Sequence, residues 1–138
     1  MIAYEPISLV AAPKNQLAHK EKITPEDILK QNIILTQQGC AFRAAFEEQL
    51  KEFETLPLSM GVNTLQAIKQ FTISNLGITV LPHIYVKNEI KAGILCQLPW
   101  PENQFHMFSQ VVYHRDKWHN RTLSAFLEIV RKHTEAEK

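Results

Sequence analysis

Short β-type runs alternate with segments of helical period along almost the whole chain, and that alternation most constrains its fold. ISLVAA (7–12), NIILT (32–36), ITVLP (78–82) and ILCQL (94–98) are apolar almost throughout, the pattern of strands covered on both faces. LSMGV (58–62) is a shorter candidate of the same kind. Between them, Phe42, Ala45, Phe46, Leu50 and Phe53 recur at helical spacing, predicting a helix over 42–54. Glu47, Glu48, Lys51 and Glu52 give that helix a solvated face. Leu65, Ile68 and Phe71 repeat the pattern. Such an order implies a covered, mostly parallel sheet whose crossovers bring successive helix N-termini to one edge, where ligands bind.

Local signals place the boundaries. Thr24 caps a short helix, with Pro25 at its first position and Asp27 answering from the third. Asn63 and Gln66 have the same cap-box spacing ahead of Leu65, and Gly77 supplies a C-terminal stop. HIYVKNEIKAG predicts one or two helical turns before Gly93, with His83 a candidate cap. The polar loop PKNQLAHKEK holds one anchor, Leu17. PWPENQ (99–104) interrupts regular structure and reads as a link. HMFSQVVYH (106–114) follows as a strand. Asn120 then caps a final helix with Leu123, Phe126, Leu127 and Val130 on its inner face, ending in a fraying RKHTEAEK. A lone strand and helix cannot close a lobe, so this unit either joins the main sheet or needs neighbours.

Composition excludes several functions. The 138 residues suit one domain or two small lobes. A formal charge of +1 with both signs dispersed lacks the basic bias of nucleic-acid modules and does not favour an acidic membrane. Cys40 and Cys96 form no disulfide framework or zinc set, which points to a reduced, cytoplasmic setting. The six histidines show no HExxH spacing, so no metal, cofactor or catalytic residue is assigned. The N-terminus lacks the form of a signal peptide, and no apolar run approaches the roughly 20 residues of a membrane span.

The chemistry concentrates in ILTQQGCAFR (34–43), where a strand passes into a helix. The first backbone N–H groups of that helix lack helical partners, and Gly39 permits a tight turn and close approach of a ligand. The amides around Gly39, Cys40, Ala41 and Phe42 can face an anion, aided by the helix dipole. The Thr36 hydroxyl and the Gln37 and Gln38 amides are the candidates for specificity, and Asn63 and Thr64 line the same mouth if they do not simply cap. The bland alternative has Thr36 capping a turn and Cys40 as a small buried hydrophobe. A third has Cys40 redox-active, because a helix N-terminus lowers thiol pKa. Cys96 reads as core. Arg43 either holds the cleft rim or pairs with Glu47. Trp100 and Trp118 are either interface anchors or half-buried packing.

EPISLVAAPKNQLA, TPEDILKQNIILTQQGCAFRAAFEEQL, NTLQAIKQFTISNLGITVLP, IKAGILCQLPWPE and VVYHRDKWHNRTLSAFLEIV, in that order, resemble the effector-binding domain of LysR-type transcriptional regulators. LGITVLP and the Leu-Thr-x-x-Gly-Cys-x-x-Arg pattern at 35–43 are the most specific pieces. The resemblance implies an α/β fold: a type 2 periplasmic-binding-protein-like lobe with a mostly parallel mixed sheet, plus a strand–helix unit of an incomplete first lobe. It implies a second lobe over 5–98, an interlobe crossing at 99–104, a strand and helix returning to the first lobe over 105–133, and a frayed tail at 134–138. The chain is expected to begin midway through the effector domain, and DNA would be contacted only through an N-terminal domain absent from it. Effector-binding residues on this resemblance are Thr36, Gln37, Gln38, Gly39, Cys40, Ala41, Phe42 and Asn63, with Glu5, Leu98 and Pro99 as hinges.

The function so implied is the sensing of a small anionic or carboxylated effector, without catalysis or cofactor, in a homo-oligomer. Two alternatives stand beside it: a truncated module that self-associates through exposed edges, and a small thiol enzyme using Cys40.

Overall fold

The computed structural model describes residues 3–51, 53, 60–100, 107–114, 116, 118 and 120–136. In chain order its elements are β1 (Ala3–Tyr4), β2 (Ile7–Ala11), α1 (Pro25–Leu29), β3 (Ile34–Thr36), α2 (Ala41–Gln49), β4 (Met60–Val62), α3 (Leu65–Ile73), β5 (Thr79–Pro82), α4 (His83–Lys91), β6 (Cys96–Gln97), β7 (Phe108–Ser109) and α5 (Arg121–Ala136). Two compact units divide them: Pro6–Phe105, and Met1–Glu5 with His106–Lys138.

The larger unit is built on strands ordered β4-β3-β5-β2-β6. β3 runs parallel to β4, and the bridge between Ile33 and Ile78 sets it parallel to β5. β2 opposes β5 and β6. Four strands therefore point one way and β2 the other, the mostly parallel mixed sheet expected from the sequence. Every residue of β2 and β5 is buried, as a sheet covered on both faces requires. Alternation sends Val10, Ile34 and Leu81 to one face, where they meet Ile68 of α3, Val86 of α4 and Leu95. α2 packs on β3 and β5 and buries Phe46 and Leu50 completely, worth about 2–3 kcal/mol for each side chain.

Several boundaries move for local reasons. The Thr24 capping box forms as expected: Thr24 Oγ1 accepts from Asp27 N at 3.3 Å, and Asp27 Oδ2 accepts from Thr24 N at 3.2 Å. α2 starts at Ala41 and ends at Gln49 rather than 54, with Leu50 as its C-cap. The N-cap of α3 is Thr64, not Asn63; its hydroxyl accepts from Ala67 N at 3.2 Å. α3 is closed by Asn75 at φ 59°, not by Gly77. The Asn75 and Leu76 N–H groups donate back to Thr72 O and Phe71 O, the Schellman pattern. Gly93 (φ 71°) closes α4 in the same way through Ile90 O and Glu89 O. β6 is shorter than 94–98, and Cys96 is only half-buried rather than core. Residues 58–59 of the strand expected at 58–62, and most of the 99–104 link, lie outside the described residues.

Leu17 is anchored as expected, 2% exposed, through a 3₁₀ turn (Gln16–His19) that the polar loop did not signal. Buried Asn15 caps that turn, accepting from Leu17 N at 2.9 Å and donating to Gln31 Oε1 at 3.1 Å.

In the smaller unit β1 and β7 pair antiparallel, with the Tyr4 and Phe108 rings 5.7 Å apart. Of the strand expected over 106–114, the described residues form strand only at Phe108–Ser109, and His106 lies outside them. Asn120 caps α5 as expected, its Oδ1 accepting from Leu123 N at 2.8 Å. The inner face is only partly covered: Leu123, Leu127 and Val130 are half-buried, while Phe126 is 49% exposed. A two-stranded ribbon is too small to cover a helix of this length.

Gly77 has a different duty from the helix stop assigned to it. A Cβ there would sit 2.4 Å from Asn32 O and 3.1 Å from Ile34 Cγ1, whereas one at Gly61 would meet nothing within 4 Å. Gly77→Ala is expected to lower unfolding free energy by about 1–3 kcal/mol, the usual cost of overpacking. Gly61→Ala should stay within about 0.5 kcal/mol. Urea unfolding followed by circular dichroism compares the two, and equal effects would contradict the close-approach role.

Candidate functional site

β3, β4 and β5 run in one direction and each leads directly into a helix, so the starts of α2, α3 and α4 share one edge of the sheet. β2 is reversed, which brings its first residues to the same edge; Ile7 pairs with Pro82. The larger unit thus collects the 36–41 turn, the 62–64 junction, Pro82–His83 and Pro6–Ser8 along one rim. Such a rim, at the carboxyl ends of parallel strands, is the usual ligand edge of an α/β sheet.

Thr36 ends β3, and its Oγ1 is buried with no hydrogen-bond partner. It therefore caps nothing, contrary to the bland reading of this residue. Gln37, Gln38 and Gly39 are exposed, and Gly39 holds φ 91°, with open space where a Cβ would stand. Cys40 is the N-cap of α2, but its side chain makes no capping bond. The N–H groups of Ala41, Phe42 and Arg43 accordingly begin the helix without intrahelical acceptors. Phe42 is half-buried and Ala41 exposed. Asn63 is exposed at the neighbouring junction, beside the Thr64 cap.

Of the alternatives set out for Arg43, the structure shows the pairing with Glu47. Its Nε donates to Glu47 Oε1 at 2.6 Å and its Nη1 to Thr36 O at 3.0 Å, so the ion pair also braces the turn. Glu48 pairs with Lys51 on the outer face. Burial pushes the Cys40 thiol up, but the Thr36 hydroxyl and the Phe42 and Arg43 N–H groups outweigh it and hold the pKa below the ordinary thiol value. Thr36 Oγ1, unpartnered beside a neutral thiol, gains an acceptor when that thiol ionises.

Sequence reasoning missed one polar pair on this rim. Ser8, 1% exposed, lies with its Oγ 2.9 Å from His83 Nδ1, and the His83 N–H donates to Pro6 O at 2.8 Å. Pro82 is the N-cap of α4, so the His83 ring does not cap the helix but reaches across to β2. No local signal could reveal a bond between residues so far apart in sequence.

Of the expected hinge residues, Glu5 accepts from Ser109 Oγ at 2.8 Å and donates its N–H to Met107 O at 2.9 Å. Leu98 is buried and its N–H donates to Leu9 O at 2.8 Å, while Pro99 is exposed. Trp100 is 8% exposed with an unpartnered Nε1; Trp118 is 87% exposed. A cavity of about 270 Å³ lies at the opposite edge, lined by Lys14, Asn15, Gln31, Asn32 and Asn75. The buried group there, Asn15, already has both polar atoms engaged.

Among the described residues no helix is long and apolar enough to cross a membrane, and no group of three or more His, Cys, Asp or Glu side chains could hold a metal ion.

The fold has clear relatives. The regulatory domain of Synechocystis PCC6803 CcmR in complex with 2-PG superposes with a TM-score of 0.78 at 18% identity, covering 96% of this chain and 64% of that one. The effector binding domain of QuiR in complex with shikimate gives 0.71 at 14% identity, covering 98% and 64%. In sequence, the uncharacterized HTH-type transcriptional regulator YwqM of Bacillus subtilis is 33% identical over 126 residues, which are 91% of this chain and 43% of that protein. The chain spans less than half the length of the curated relatives it matches. Residues 2–135 match the family described as the LysR substrate binding domain, and the chain belongs to that family.

Proposed function

We propose that this chain senses a small anionic or carboxylated effector for a LysR-type transcriptional regulator, through the 36–42 turn and Asn63, without catalysing a reaction. The observation that carries the reading is the buried, unpartnered Thr36 hydroxyl beside the uncapped start of α2. A buried hydroxyl without a partner costs about 1–3 kcal/mol, and a bound anion would supply the missing acceptor. CcmR with 2-PG and QuiR with shikimate are relatives of this fold with small ligands bound, which supports the class of ligand. The second lobe comprises 5–98, with Glu5, Leu98 and Pro99 at the crossings and 105–133 returning to the first lobe. Occupancy favours one arrangement of the lobes, a population shift set by differential affinity. On this reading the intact regulator is a cytoplasmic homo-oligomer that contacts DNA through a separate helix-turn-helix part, and the HTH-type name of its Bacillus subtilis relative supports the last point alone.

Thr36→Val tests the site because it separates stability from binding. Without ligand the variant should be as stable as the parent or more so, since it removes an unpaired buried polar group. Calorimetric titration with shikimate, sulfate and a panel of small carboxylates should show binding to the parent about tenfold tighter than to the variant, the worth of a hydrogen bond to a charged group. Unchanged affinity would remove Thr36 from the site.

The thiol alternative draws on the depressed pKa of Cys40. The depression favours thiolate in the folded state, so it adds stability above the ordinary thiol value and loses it as pH falls through the lowered one. Iodoacetamide alkylation of Cys40 should therefore have a pH midpoint below that of the unfolded chain, and Thr36→Val should move it upward. A Cys40 midpoint at about 8.5, the unperturbed value, would contradict the donor arrangement and with it the thiol reading.

A further inference from the structure

We propose that His83, fixed by Ser8, is a further hydrogen-bond donor to the anionic effector, acting with the 36–42 turn. The inference rests on the effector reading above and adds a contact from a second strand–helix junction. β3 and β5 are neighbours in parallel register through Ile33 and Ile78. β3 ends at Thr36 and β5 at Pro82, so the 37–40 turn and His83 both leave the sheet along the same edge. Adjacent strands lie about 4.8 Å apart, so the two junctions start from neighbouring strand ends.

Ser8 and Pro6 restrict what the imidazole can do. The His83 N–H is bonded to Pro6 O and its Nδ1 faces Ser8 Oγ, so both the backbone and one ring nitrogen are held by the start of β2. The Ser8 hydroxyl is a donor as well as an acceptor. When it donates to Nδ1, the ring proton resides on Nε2, which leaves that side of the half-buried ring as a fixed N–H donor. Among the described residues no protein group accepts from Nε2. The pairing is costly to place by chance: Ser8 puts a hydroxyl at 1% exposure near the start of a strand otherwise made of Ile, Leu, Val and Ala, and His83 satisfies it. This rim thereby offers three kinds of donor to one anion: the Thr36 hydroxyl, the backbone N–H groups opening α2, and the His83 ring.

Two substitutions separate the ring's two nitrogens. His83→Asn places an amide near the Nδ1 position and keeps a partner for Ser8, but removes the outer donor. His83→Gln reaches the Nε2 position and keeps the outer donor. The full chain is titrated with sodium sulfate and with shikimate at constant ionic strength, and the backbone amides of 39–42 are followed in ¹H–¹⁵N spectra. His83→Asn should weaken binding roughly five- to tenfold, as expected for a lost hydrogen bond to a charged acceptor, and His83→Gln should stay within about twofold of the parent. Dispersed spectra for both variants establish that each is folded. Parental affinity in His83→Asn, with the 39–42 amides still responding, would overturn the role of His83 and leave the effector site intact. A parent whose 39–42 amides answer neither probe would overturn the effector site itself, and the His83 contact with it.

Discussion

Two backbone hydrogen bonds hold the larger unit together as one sheet: Ile34 N–H to Ile78 O and Ile78 N–H to Asn32 O, each at 2.9 Å. They join the β3–β4 pair to the β5-β2-β6 strands, and the rim follows from that joint. Without it the 36–41 turn and Pro82–His83 would not lie along one edge of the same sheet. The joint is also where the chain is least tolerant, since a side chain at Gly77 would drive β5 off the Asn32 carbonyl. A glycine therefore sets the spacing on which the ligand edge depends, although it lies at the opposite end of the strands.

At the rim itself, stability and function pull apart. The core cluster of Val10, Ile34, Ile68, Leu81, Val86 and Leu95 is apolar and closed, and the Schellman turns at Asn75 and Gly93 satisfy the carbonyls of the far edge. The near edge is treated differently. α2 begins without a side-chain cap, Thr36 Oγ1 is buried without a partner, and Gly39 is held at positive φ. The first two are small costs that packing elsewhere offsets, Gly39 takes its positive φ without strain, and all three lie within five residues. Polar groups left unsatisfied in this way are expected where a ligand completes the structure.

Much of this was legible in the sequence because it is encoded locally. The alternation of apolar runs and helical periods gave the element order, and the Thr24-Pro25-Asp27 spacing gave the capping box in detail. Two of the errors share a cause: rules that name a residue type do not say which of two nearby candidates is used. Thr64 rather than Asn63 caps α3, and Asn75 rather than Gly77 takes the left-handed turn. Each choice depends on backbone angles set by packing. Long-range polar pairs lie beyond local reading altogether. The Ser8–His83 bond exists only because β2 is reversed and inserted beside β5, and the Arg43 contact to Thr36 O only because the turn folds back on the helix. The apolar stripe of α5 is present in the sequence, but a pattern does not say how much partner surface will cover it, and Phe126 stays 49% exposed.

Cys40 ties the two readings of the rim together. The donors that hold its thiol pKa down are the Thr36 hydroxyl and the N–H groups of Phe42 and Arg43, and these belong to the set available to an anion. On the proposed site, thiolate and effector are thus rivals for one group of donors. An anion seated at the turn takes those donors from the sulfur and adds a negative charge beside it, and both effects raise the thiol pKa. By linkage the reverse holds equally: ionising Cys40 must weaken the anion by the same factor. The local chemistry therefore serves either a neutral thiol beside a bound anion or a thiolate beside an empty turn.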